Sequence, residues 1–177
     1  MVCILLGNGF EEAEALVPAD LLLRAGAEVV LTSLEGSFVA GSHNITIKAD
    51  KTLSEIDPAA VELVMLPGGL GGVKALACDP RVARLVHSTL AQGGYVAAIC
   101  AAPTLLASLD LLAGKRAVCY PGMEDEMPGA VIQSSVPFVV DGHIITGEAA
   151  GAAFPFGLKL VELLKGPESA QKVKDAI

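Results

Sequence analysis

Of the four cysteines in the chain, Cys3, Cys78, Cys100 and Cys119, one stands in a context that suits a nucleophile. In Ala98-Ile99-Cys100-Ala101-Ala102, small residues lie two before and two after Cys100, the spacing of the G-x-S-x-G elbow with alanines for glycines. A nucleophile on such a strand-to-helix turn has a strained backbone and crowded neighbours, so only small residues fit beside it. Placed there, the sulfur faces the start of a helix opened by Pro103, whose free N–H groups and dipole favour thiolate over thiol. A depressed thiol pKa is the expectation. The backbone N–H groups of Ala101 and of Gly69, in the facing loop Pro67-Gly68-Gly69, are candidates for an oxyanion hole. The plainer alternative is a small buried hydrophobe, the commoner fate of a free cysteine.

A nucleophile needs a proton carrier. Glu11, Glu12 and Glu14 open the first predicted helix, where acidic side chains favour the dipole, and that suffices for Glu11 and Glu12. Glu14 is different if this helix start lies beside Cys100, because a carboxyl near a thiolate is pushed towards its protonated form and can donate to sulfur or shuttle a proton. His43, His87 and His143 are scattered, and each reads as a solvated surface or turn residue. Cys3 and Cys119 fall on predicted strands as core residues, and Cys78 has no identified partner. No cluster has metal-ligand spacing.

The elements that must position these residues alternate along the chain. Val2 to Leu6 is a strand that breaks at Gly7-Asn8-Gly9 into a helix from about Glu12 to Ala25, with Gly26 at its C′ position. Glu28 to Ser33 is a second strand, and Gly36, Gly41 and the alternation in Ile45-Thr46-Ile47 suggest a short antiparallel excursion. Leu63 to Leu66 is a buried strand ended by Pro67-Gly68-Gly69. Asp79-Pro80 then opens a helix through Gln92. Tyr95 to Ile99 is a strand, Cys100 the turn, and Pro103 to Leu109 a helix. Ala117 to Cys119 is a short strand, Val136 to Val140 and His143 to Thr146 form a hairpin around Asp141-Gly142, Ala152 to Leu164 is a helix, and a peripheral helix follows Gly166-Pro167. This order describes a doubly wound α/β sheet with helices on both faces, which binds ligands at the carboxyl ends of its strands.

Composition agrees and narrows the functions. With 177 residues, 53% of them hydrophobic and only 18% charged, the chain suits a single domain with heavily buried, two-sided elements. Its longest apolar stretches fall far short of the roughly 18 to 20 residues needed to span a bilayer. The net charge of −8 leaves no basic run for nucleic acid or anionic lipid, so both are poor candidates as partners. Four sparse cysteines do not make a disulfide scaffold, which points to a reducing, cytoplasmic setting.

Three motifs taken together, Gly9-Phe10-Glu11-Glu12-Ala13-Glu14, Leu66-Pro67-Gly68-Gly69 and the run Ala97 to Ala107 around Cys100, resemble the ThiJ/PfpI superfamily, closest to its parkinsonism-associated deglycase and glyoxalase branch. The resemblance covers essentially the whole chain, 1–177. It implies a flavodoxin-like, mostly parallel sheet, usually dimeric, with a reactive cysteine at the elbow, a protonated glutamate touching it and backbone N–H groups around it. These carry over to Cys100, Glu14, Gly69 and Ala101. Two departures stand out. The branch places a histidine before the proline after the strand predicted to end at Cys119, where this chain has Tyr120 before Pro121. Related hydrolase-like branches place a histidine directly after the cysteine, where this chain has Ala101. Arginines of the branch are matched here by His43 and Glu148.

The leading expectation is a cysteine-dependent, cofactor-independent enzyme acting on 2-oxoaldehydes or their early protein adducts, with Tyr120 as a possible substrate contact. The rival is a non-catalytic redox-sensing or chaperone-like protein using an oxidisable Cys100. A cysteine hydrolase or peptidase ranks lower, for want of either histidine. A homodimer is expected to use the first helix, where Pro18, Leu21 and Leu22 offer apolar surface.

Overall fold

The computed structural model describes the whole chain, Met1–Ile177. Its elements in order are β1 (Val2–Leu6), α1 (Glu12–Arg24), β2 (Val29–Ser33), β3 (Phe38–Ala40), β4 (Thr46–Lys48), β5 (Lys51–Thr52), β6 (Leu63–Leu66), α2 (Leu70–Ala77), α3 (Pro80–Ala91), β7 (Tyr95–Ile99), α4 (Pro103–Ser108), β8 (Arg116–Ala117), β9 (Val131–Ile132), β10 (Phe138–Asp141), β11 (Ile144–Gly147), α5 (Ala153–Lys165) and α6 (Pro167–Asp175). Seven strands form one sheet in the order β10-β11-β7-β6-β1-β2-β5. All its pairings are parallel except that of β10 with β11. The antiparallel excursion is the separate β3–β4 pair.

The apolar runs explain the central strands. β1 and β6 are buried at every position, and their alternate residues feed two different cores. Cys3, Leu5, Val64 and Leu66 face α2, α3 and α4, while Val2, Ile4, Leu6, Leu63 and Met65 face α1, α5 and α6. From β1 the chain winds outward to β2 and then crosses back to β6 on the other side, so the order reverses between β1 and β6. The carboxyl ends of β1, β6 and β7 meet around that switch point, where open α/β sheets bind ligands. No helix is long and apolar enough to cross a membrane.

Three local expectations change. The sequence reading assigns no element between Pro67-Gly68-Gly69 and Asp79-Pro80; the structure forms α2 there. A Cβ at Gly72 would lie 2.8 Å from the Phe10 backbone, so the glycines let the start of α2 pack backbone against backbone on the loop after β1. The short strand expected at Ala117 to Cys119 is Arg116–Ala117, because the Val118 N–H leaves the ladder for the Thr146 hydroxyl, 3.0 Å away. On α1, Pro18, Leu21 and Leu22 are buried within the protomer and are not available as a dimer surface. They turn inward, where α1 packs on α5: a Cβ at Gly157 would come within 2.8 Å of Leu21 Cδ1 and 3.0 Å of Pro18 Cα.

That close approach makes Gly157 sensitive. Gly157→Val is expected to lower the unfolding free energy by about 1–3 kcal/mol through overpacking. Gly151→Ala, with no atom within 4 Å of the added methyl, leaves it nearly unchanged. Urea midpoints of the two variants check this.

Candidate active site

The turn after β7 places Cys100 at φ +66°, a left-handed conformation that a residue with a Cβ adopts at a cost of roughly 1–3 kcal/mol. Two clamps hold it there. The Cys100 N–H donates to the Gly147 carbonyl at the end of β11 (2.9 Å), and the Tyr120 N–H donates to the Cys100 carbonyl (2.8 Å). Ala98, Ala101 and Ala102 are all buried around the turn, where larger side chains would collide.

Glu14 reaches this turn from the first turn of α1. The cap residue Glu11 accepts the Glu14 N–H (2.7 Å) and fixes the helix start. The Glu14 side chain then points inward and is fully buried. Its Oε2 accepts the Gly68 N–H at 2.8 Å, and its Oε1 is buried without a hydrogen-bond partner. Gly68 lies between the two side chains: a Cβ there would sit 2.5 Å from Glu14 Oε2 and 2.7 Å from the Cys100 Cβ. Gly69, at φ +84°, has no room either, since a Cβ would run into the Gly9 carbonyl. The loop after β6 is therefore held to glycine on two counts, conformation and space.

The electrostatics differ from the expectation in one respect. Burial pushes the Cys100 thiol up, the neighbouring Glu14 charge and hydrogen bond push it further, and the N–H groups of Ala101 and Gly69 pull back without prevailing, which leaves it at about 12. The resting group is a thiol, not the thiolate expected from a helix start. Burial likewise raises Glu14, the hydrogen bonds from Cys100 and Gly68 lower it, and the Glu11 charge raises it, to about 7. A carboxyl that gains and loses its proton near neutrality thus stands beside a thiol that keeps its own. Such a pair can move one proton from sulfur to carboxylate as sulfur attacks.

Cys100 opens into a cavity of about 550 Å³ whose walls include Gly69, Leu70, Ala101, Tyr120 and Met123. Tyr120 is 49% exposed and shares that cavity with the sulfur. The sequence-predicted residues Cys100, Glu14, Gly69, Ala101 and Tyr120 are thus brought together. Cys3 and Cys119 are buried and Cys78 is exposed. Glu148 borders a different, smaller cavity.

One contribution escaped sequence reasoning. Glu12 does more than face a helix dipole: it is buried, and its carboxylate accepts from the His43 N–H (2.7 Å), the Ser42 hydroxyl (3.1 Å) and the Ile45 N–H (3.4 Å), with His43 Nδ1 at 2.9 Å. Burial works to raise this carboxyl, but the bonds from His43 and the other donors outweigh it and hold it at about 2. The partners lie some thirty residues away, and only the buried clamp between α1 and the β3–β4 excursion reveals them. Glu11, Glu12 and His43 bring possible metal-ligand atoms within 4.8 Å of one another, yet both Glu12 oxygens are already engaged by the 42–45 loop.

The raised Glu14 pKa carries a stability consequence of definite sign. Because the folded protein holds this proton more tightly than the unfolded chain, the contribution is fully present below about 4.5 and is lost as pH rises through about 7. Wild type is expected to lose about 3 kcal/mol relative to Glu14→Gln between pH 4.5 and 8, as thermal unfolding of both across that range would show. Parallel pH profiles for the two proteins would refute it.

The model of the DJ-1/PfpI family matches residues 1–163. The protein dj-1beta of Drosophila melanogaster is 38% identical over 172 residues, covering 96% of this chain and 92% of that protein. Its crystal structure superposes with a TM-score of 0.95 at 36% identity, over 99% of this chain and 95% of that one. A Caenorhabditis elegans protein named a glutathione-independent glyoxalase is 31% identical, covering 92% of this chain and 87% of its own length. A Pyrococcus horikoshii protein named a deglycase is 28% identical over 93% and 99%. With a family model spanning the elbow, the glycine loop and the glutamate helix alike, this chain belongs to the DJ-1/PfpI family.

Proposed function

We propose that this protein is a cysteine-dependent, cofactor-independent enzyme acting on 2-oxoaldehydes or their early protein adducts. The observation that carries the reading is the half-buried Cys100 thiol, facing an open cavity, with the fully buried Glu14 carboxyl beside it. The names of the glyoxalase and deglycase relatives support the same chemistry. As the sulfur adds to the aldehyde carbon, its proton passes to ionised Glu14, and the hemithioacetal oxygen takes the N–H groups of Gly69 and Ala101. Glu14 then returns that proton to the oxygen, removes the hydrogen on C1 to leave an enediol and delivers it to C2, while the hydroxyl proton on the C1 oxygen passes to the C2 oxygen. The resulting thioester is hydrolysed to a 2-hydroxy acid, restoring the thiol. The first carbon is oxidised and the second reduced, so the sum is aldehyde plus water with no external redox partner.

Glu14 suits this because its pKa of about 7 lets it accept and release a proton at neutral pH. Peptidase chemistry lacks support: Ala101 and Tyr120 occupy the positions where a histidine would serve. Assembly as a homodimer belongs to the same reading. Its apolar contact falls to the residues that α1 leaves partly or fully exposed, Leu16, Val17 and Leu23.

Lactate formation from methylglyoxal without glutathione tests the enzyme. Wild type is expected to turn over, with kcat/KM rising with pH to a plateau above about 7, because Glu14 must be ionised to receive the thiol proton. Cys100→Ser abolishes turnover, and Glu14→Gln lowers it by about a hundredfold or more and removes the pH step. Tyr120→His is expected to raise the rate by up to about tenfold, since an imidazole exchanges protons at neutral pH and a phenol rarely does. Full activity in Cys100→Ser or Glu14→Gln would sink the mechanism, and the redox-sensing reading would take its place. Sedimentation at micromolar concentration is expected to give a dimer, and a monomer alone would remove that part of the reading.

A further inference from the structure

The cavity over Cys100 has a one-sided charge. Glu11 and Glu126 line it, and no lysine, arginine or histidine does. Glu124 stands beside it, with its carboxylate accepting the N–H of the cavity residue Gly122 at 2.8 Å. Buried Glu14 lies behind the sulfur. Lys74 lines an adjoining groove that shares Leu70 and Met123 with the cavity. His43 sits on the Glu12 carboxylate (2.9 Å) and reaches to 3.9 Å of Glu11 Oε1, so Glu126 is the cavity acid without a basic side chain against it. Apart from the Cys100 thiol and the Tyr120 phenol the rest of the wall is apolar or backbone, and low-dielectric walls focus a field instead of screening it.

We propose that this cavity admits uncharged carbonyl compounds and turns away carboxylate-bearing ones such as 2-oxo acids, with Glu126 the specificity-determining residue. The inference rests on the reading of Cys100 as the attacking atom and deepens it by naming the substrate class. A 2-oxoaldehyde enters neutral, and the 2-hydroxy acid it becomes leaves as an anion. The same field that excludes a carboxylate substrate therefore speeds departure of the carboxylate product. Glu126 suits the role because its side chain is exposed on a short turn and makes no hydrogen bond within the protein, so its charge is free to act on the cavity mouth.

The test uses two alkylating probes of nearly equal size and different charge, neutral iodoacetamide and anionic iodoacetate. Their rates at Cys100 are followed by peptide mass spectrometry at pH 8 and the neutral-to-anionic ratio is divided by that for 2-mercaptoethanol. The normalised ratio is expected to be about tenfold at low ionic strength, shrinking to about twofold in 0.5 M NaCl as the carboxylates are screened. Glu126→Gln lowers the low-salt ratio about twofold, and Glu126→Lys about fivefold. A wild-type ratio near one, or a ratio moved neither by salt nor by Glu126→Lys, would overturn the proposal. Methylglyoxal turnover is measured on the same samples. Its absence would remove the enzyme reading while leaving the charge ratio readable, so the two can fail separately.

Discussion

Burial of the Glu14 carboxyl behind Cys100, with one oxygen on the Gly68 N–H, is the constraint around which the site is built. A carboxyl with no water around it is costly to ionise, and this one is spared a pKa far above neutrality by the hydrogen bonds of Cys100 and Gly68. The Gly68 bond, and the closeness of the sulfur to the carboxyl, exist because neither Gly68 nor Gly69 carries a side chain to separate the helix from the elbow. They also require α1 to begin where it does, which is the work of Glu11 as cap and of Glu12 as anchor. Three glutamates within four residues thus meet three environments: Glu11 a cap, Glu12 a buried clamp and Glu14 a dry pocket.

The sheet supplies what the loops cannot. Strands buried on both faces split their alternate residues between two cores, and this fixes the carboxyl ends of β1, β6 and β7 relative to one another. The strain at Cys100 persists because the backbone groups on either side of it are bonded to β11 and to the Tyr120 loop. A rigid sheet end is what permits a residue with a Cβ to remain in left-handed space.

Much of this was legible in the residues. The elbow announces itself because sterics demand alanine-sized neighbours, and the central strands do so because two-sided burial demands unbroken apolar runs. Helix α2 was hidden, since Gly71 and Gly72 read as loop when their reason is the closeness of Phe10. The inward turn of Pro18, Leu21 and Leu22 was hidden for the same reason: which face of α1 meets α5 depends on Gly157, far along the chain. Glu12 looked like a dipole residue because its partners lie beyond any local window. The sign of the Cys100 shift turned on burial, and a helix start gives no measure of burial.

The clamps on Cys100 also bear on when the site comes into being. The thiol, the Glu14 carboxyl beside it, the glycine loop and the two backbone anchors come from around residues 14, 68, 100, 120 and 147, so contacts of long sequence separation must close before the elbow is held. Such contacts form late in folding, after the local helices. A growing or partly unfolded chain therefore carries Cys100 as an ordinary flexible thiol, without its strained turn or its paired carboxyl. The pairing of thiol and carboxyl in this geometry is something that the chain acquires on completing its sheet, and forfeits on local opening of β11.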